Sequence, residues 1–181
     1  MTTRINSWIL VAALAVSGCG QNGSPGNGQA AGGGKAAQSA VPAATAPAET
    51  LTDKGISPGL DFGMAQGPAV AAAIKAFGAP TGRDHNAECG QGPMDFVNFH
   101  DLSLEFQDGK FVGWSLGGAK PALRTAGGLA IGAPPSVLRG APIDHDSSLG
   151  LEFYVGGIGG LVDDQQTRIT ALWAGSVCQF G

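Results

Sequence analysis

The sequence predicts an α+β domain built as two helix-plus-antiparallel-meander repeats, forming one or more sheets packed by short helices. Three observations lead there. The 181 residues include 31 glycines, with 43% hydrophobic and only 13% charged, a balance that suits short strands and tight turns and argues against a helical bundle. Residues 68–77 carry apolar side chains at helical spacing and are followed by runs that alternate apolar with polar. Gly78-Ala79-Pro80 recurs as Gly140-Ala141-Pro142, each just after a candidate helix, the mark of an internal repeat.

In the first repeat, about 55–117, Pro68 suits a first helical turn. Val70, Ile74 and Phe77 share one helical face, and Gly78 with Pro80 supplies the stop. Phe96, Val97 and Phe99 predict a strand. Leu102, Leu104 and Phe106 alternate with Ser103, Glu105 and Gln107 as a half-buried strand does, and Phe111 to Leu116 predicts a third. A two-residue Asp108-Gly109 turn pairs Leu104 with Gly113 and splits the apolar residues between two faces. A three-residue loop, Gln107-Asp108-Gly109, with Gly109 left-handed, pairs Leu104 with Val112 and Leu102 with Trp114, and is therefore expected. The second repeat, about 118–181, offers a short helix from Pro134 to Arg139. Strands then follow over 149–155, 158–162 and 168–174, the last holding Trp173 as the earlier run holds Trp114.

The amino terminus differs from all of this. Arg4 precedes the apolar run Trp8 to Val16, which is far shorter than the roughly 20 residues of a bilayer-spanning helix and is closed by the small Ser17-Gly18. Residues 1–18 therefore read as a secretory signal peptide. Val16-Ser17-Gly18-Cys19 resembles the lipobox of bacterial lipoproteins. That resemblance implies that Cys19 receives a thioether-linked diacylglycerol and an acyl chain such as palmitate, a multi-chain anchor that holds where one chain is marginal. Gly20 stands where an aspartate marks inner-membrane retention in that family, which implies the outer membrane of the cell envelope. Residues 19–50 then form a lipidated, Gly-, Ala- and Pro-rich tether with too little apolar surface to fold, and 51–181 the exported domain.

The proposed pattern of 55–181 is similar to tandem beta-lactamase inhibitor protein-like domains and to the outer-membrane lipoproteins called small protein A. The residues carrying this are Gly67-Pro68 with Val70, Ile74 and Phe77, then Phe106 to Val112, and Ile131-Gly132 with Val137-Leu138. The resemblance implies a binding or assembly module without catalysis, whose partners are the membrane, through Cys19, and an envelope protein or component.

Beyond Cys19, Cys89 and Cys178 are an even pair in an exported chain, and a disulfide between them is expected. Cys89 with His85 and Glu88 forms the competing arrangement, a metal site or an activated thiol, but such sites need more partners than these. Asp144-His145-Asp146-Ser147-Ser148 starts like a calcium loop, yet Leu149 stands where the turn glycine belongs and Val155 where a bidentate glutamate belongs. The same segment holds Ser, His and Asp, but there is no Gly-x-Ser-x-Gly elbow. Gly156-Gly157-Ile158-Gly159-Gly160 lacks the dinucleotide spacing. His85 and His100 each adjoin an aspartate as structural histidines do, and Trp114 and Trp173 are expected in the core unless they form an interaction patch. No cofactor or metal motif is thus recognised, and no enzyme activity is expected. The alternative is a small envelope hydrolase or metal-dependent enzyme using Cys89 with His85, or His145. The net charge of −4 with scattered Lys and Arg offers no basic stripe, so no nucleic-acid partner is expected.

Overall fold

A computed structural model describes residues 49–118 and 123–178 of the chain. The signal segment, Cys19 and nearly all of the tether lie outside the described residues. The elements in order are β1 (Thr50–Thr52), β2 (Gly55–Ser57), β3 (Leu60–Asp61), α1 (Gln66–Phe77), β4 (Gly82–Asn86), β5 (Met94–Phe99), β6 (Leu102–Gln107) and β7 (Lys110–Leu116). β8 (Arg124–Thr125), β9 (Ile143–Asp144), β10 (Leu151–Val155), β11 (Ile158–Val162) and β12 (Ile169–Gly175) follow. Eight strands form one antiparallel sheet in the order β4-β5-β6-β7-β12-β11-β10-β9, and four short ones form a second, β3-β2-β1-β8.

This mostly β architecture corrects the expected α+β fold of two helix-plus-meander repeats. Only α1 is an α-helix among the described residues. The second expected helix is a four-residue 3₁₀ turn, Pro135–Leu138, ended by Arg139 in the left-handed conformation (φ 53°). The physical reason is length: between Pro134 and Gly140 there is no room for the turns that offset helix nucleation. Residues 50–61, assigned to no element from the sequence, form three strands of the small sheet. Each is too short to display a period.

Cross-strand pairing sorts the large sheet into two faces. Val97, Leu104, Trp114, Ala174 and Ile158 lie in one row, and Leu102, Leu116, Leu172, Gly160 and Phe153 in the next. These rows face the core, shared with Leu51, Ile56 and Leu60 of the small sheet and with Ala69, Val70 and Ala73 of α1. Trp114 is fully buried and its indole Nε1 donates to the Thr52 carbonyl (3.0 Å), joining the two sheets. The helix starts two residues before Pro68, which still falls in its first turn, where a missing N–H costs nothing. Its buried stripe is made of small residues, and Ile74, expected on that face, is 43% exposed at the stripe's margin. Two buried alanines one turn apart allow the close approach.

The β6–β7 hairpin corrects the expected loop. Gln107 pairs with Lys110 and Phe106 with Phe111, so the turn has two residues, Asp108-Gly109. Both have positive φ (52° and 70°), the geometry that matches strand twist. The core is not split, because the register shifts beyond Phe106: Glu105 pairs with Gly113, Leu104 with Trp114 and Leu102 with Leu116. Val112 is the additional residue, a β-bulge that restores the phase the turn would have lost.

Candidate functional site

The other face of the large sheet carries the side chains that could act. One row crosses it: Asn98 pairs with Ser103, Ser103 with Ser115, Ser115 with Trp173, Trp173 with Gly159, and Gly159 with Tyr154. The missing side chain of Gly159 leaves a gap between Trp173 and Tyr154, and both rings lean into it. A Cβ there would lie 2.4 Å from Trp173 Nε1 and 2.8 Å from Tyr154 Cε1. The rings meet edge to face at 6.2 Å, a favoured aromatic geometry. Trp173 is buried while Tyr154 is 62% exposed. Hydrogen bonding to Glu152 is the main cause that raises the Tyr154 hydroxyl pKa, with burial adding and Trp173 opposing. Glu152 in turn accepts from Ser147 Oγ (2.6 Å).

A second feature of this face is the segment that follows β12. The Ser176 N–H donates to the Val112 carbonyl (2.9 Å), so the bulge supplies an acceptor to the returning chain. Gly113 is required beneath it, since a Cβ would lie 2.1 Å from the Ser176 oxygen. The Cys178 N–H then donates to Glu105 Oε2 (2.8 Å), and Cys178 is bonded to Cys89 with their Cα atoms 5.4 Å apart. The expected disulfide is thus formed, and it ties the returning chain to the loop between β4 and β5. Glu105, read from the sequence as a solvent-facing strand residue, is 2% exposed under this cover. Burial pushes its carboxyl up to about 7, against the opposing hydrogen bonds from the Cys178 N–H and the Ser115 hydroxyl.

Between these two features runs a groove of about 350 Å³, lined on one side by Gly90 and Gln91 of the disulfide loop and on the other by Tyr154 and Trp173. Its volume falls within the range of small-molecule sites, roughly 300–1,000 Å³. No signal in a single sequence marks this groove, because its walls come from residues more than sixty positions apart.

The residues of the alternative reading do not converge. Cys89 is spent in the disulfide. His85 Nδ1 lies 2.7 Å from Asp95 Oδ1 with both side chains about half exposed. His85 stands on β4 and His145 follows β9, the two opposite edges of the eight-stranded sheet, seven strand intervals apart. Among the described residues no group of three His, Cys, Asp or Glu could hold a metal ion. The 144–148 segment is a turn in which Asp144 Oδ1 accepts from the Asp146 N–H (2.9 Å) and Ser147 Oγ from the Leu149 N–H (3.2 Å). His100 sits in the β5–β6 turn with φ 56° and donates its N–H to Thr81 Oγ1 (3.1 Å). Of the glycine cluster, Gly156 and Gly157 form a two-residue turn of positive φ, while Gly159 and Gly160 make room for aromatic rings. Glu105 and Glu152 lie four strand intervals apart, about 19 Å measured along the sheet, and so are not the neighbouring carboxylates of a glycosidase pair.

No family model, no curated protein and no solved structure matches this chain. Among the described residues no helix is long and apolar enough to cross a membrane.

Proposed function

We propose that this protein is a lipid-anchored envelope lipoprotein whose domain binds an envelope protein or component without catalysis. The anchor reading rests on Val16-Ser17-Gly18-Cys19 directly after a short apolar run, and Gly20 favours the outer membrane. The single observation that carries the binding reading is the sheet face on which Tyr154 stands exposed, braced by Trp173. An aromatic ring held rigidly in water offers contact area at little ordering cost, as binding anchors do. Against the hydrolase alternative stand the oxidised Cys89 and the separation of His85 from His145.

Two measurements test the proposal. Labelled palmitate should be incorporated by the wild-type chain and not by Cys19→Ser; continued incorporation after that change sinks the anchor. A photo-crosslinking residue at position 154 in intact cells should yield a discrete adduct by mass spectrometry. Absence of any adduct at 154, with the protein present in the envelope fraction, argues against the binding face.

A further inference from the structure

We propose that the groove between the Cys89–Gln91 loop and the Tyr154–Trp173 pair binds an uncharged saccharide, with a pyranose ring stacked on the exposed face of Tyr154. The inference rests on the reading of this domain as an envelope binding module and names its ligand class.

Charge comes first. None of the groove's lining side chains is ionisable near neutral pH, and Gln91 offers an amide at its rim. A phosphate or a carboxylate would find no counter-charge there and two carboxylates nearby, Glu152 at the Tyr154 hydroxyl and Asp53 beside Gly157, so the ligand that fits is polar and not anionic. Shape comes second. Glycines 90, 157, 159 and 175 keep much of the lining free of side chains, which leaves room for a ring laid on its face. An aliphatic chain would leave the polar lining unpaired.

The aromatic platform supplies the attraction. The negative face of a tyrosine ring attracts the weakly positive C–H groups on the apolar side of a pyranose. Tyr154 is held for that role by its edge-to-face contact with Trp173 and by the Glu152 carboxylate at its hydroxyl. The facing wall is equally fixed. The disulfide anchors Cys89, the Gly92 N–H donates to the Cys89 carbonyl (2.8 Å), and Gln107 Nε2 donates to the Gln91 carbonyl (2.6 Å). Little ordering is left for a ligand to impose, which favours affinity.

The experiment titrates the full-length protein, in a detergent without a sugar headgroup, with the neutral trisaccharides chitotriose and maltotriose. Binding is followed by isothermal titration calorimetry, with tryptophan fluorescence, to which Trp173 at the groove contributes, as a second readout. Saturable binding of at least one sugar is expected, weakened about tenfold or more by Tyr154→Ala and by no more than about threefold by Tyr154→Phe. Removing the wall with the paired Cys89→Ala and Cys178→Ala changes should weaken binding as well. No saturable binding of either sugar up to about 10 mM overturns the proposal. So does equal binding by Tyr154→Ala, and so does a loss in Tyr154→Phe as large as in Tyr154→Ala, which would assign recognition to the hydroxyl. Should crosslinking at 154 recover an envelope partner while neither sugar binds, the saccharide inference fails and the binding module stands.

Discussion

Glu105 shows how one residue's environment becomes a measurable property. In the unfolded chain its carboxyl loses a proton near its ordinary value of 4.5, whereas in the fold it holds that proton to about 7. Between those values the unfolded state binds fewer protons than the native one, so stability falls as pH rises through the window. The contribution fully lost above pH 7 is about 3 kcal/mol. Urea unfolding should therefore show the wild type losing about that much relative to Glu105→Gln between pH 4.5 and 8; parallel pH profiles would mean that Glu105 is solvated. Gly159 offers a second test. A methyl there meets Trp173 and Tyr154 at once, so Gly159→Ala should cost about 1–3 kcal/mol and shift the tryptophan emission.

At the scale of elements, two local devices set the register of the sheet. The Asp108-Gly109 turn takes positive φ at both residues, so Gly109→Ala should destabilise by about 1 kcal/mol through left-handed strain, measured by chemical denaturation. The strands of 94–99, 102–107, 110–116 and 158–162 were legible because their alternation or apolar content is strong, and the outcome matches within a few residues. The bulge at Val112 was not legible: pattern reasoning assumes an unbroken ladder and therefore placed the odd residue in the turn. Helix α1 teaches a similar lesson. Ala73 is fully buried while Ile74 is not, so Ala73→Leu should cost about 1–3 kcal/mol by overpacking and Ile74→Gln within about 0.5 kcal/mol. Hydrophobic size pointed to Ile74, whereas the close approach of helix to sheet selected the alanines.

Over the whole molecule, the disulfide binds positions 89 residues apart and holds the returning chain over Glu105. Loop-closure estimates give about 4–5 kcal/mol for such a bridge, and real bridges often deliver less. Replacing both cysteines by alanine should lower unfolding free energy by about 2–5 kcal/mol. It should also bring the Glu105 pKa down toward the ordinary carboxylate range as water reaches it, readable by NMR titration. An unchanged Glu105 pKa would show that hydrogen bonds alone hold the cover. The sequence by itself determined the positions of the longer strands and helix α1 and the cysteine pairing, because period and an even thiol count act locally or by elimination, but not the fold class, since the expected α+β repeats give way to a mostly β fold. Only the tertiary structure decided the small sheet, the bulge, the burial of Glu105 and the Tyr154–Trp173 groove. Each of these arises where segments distant in the chain meet, and there the side chain that is missing, at Gly113 or Gly159, matters as much as those present.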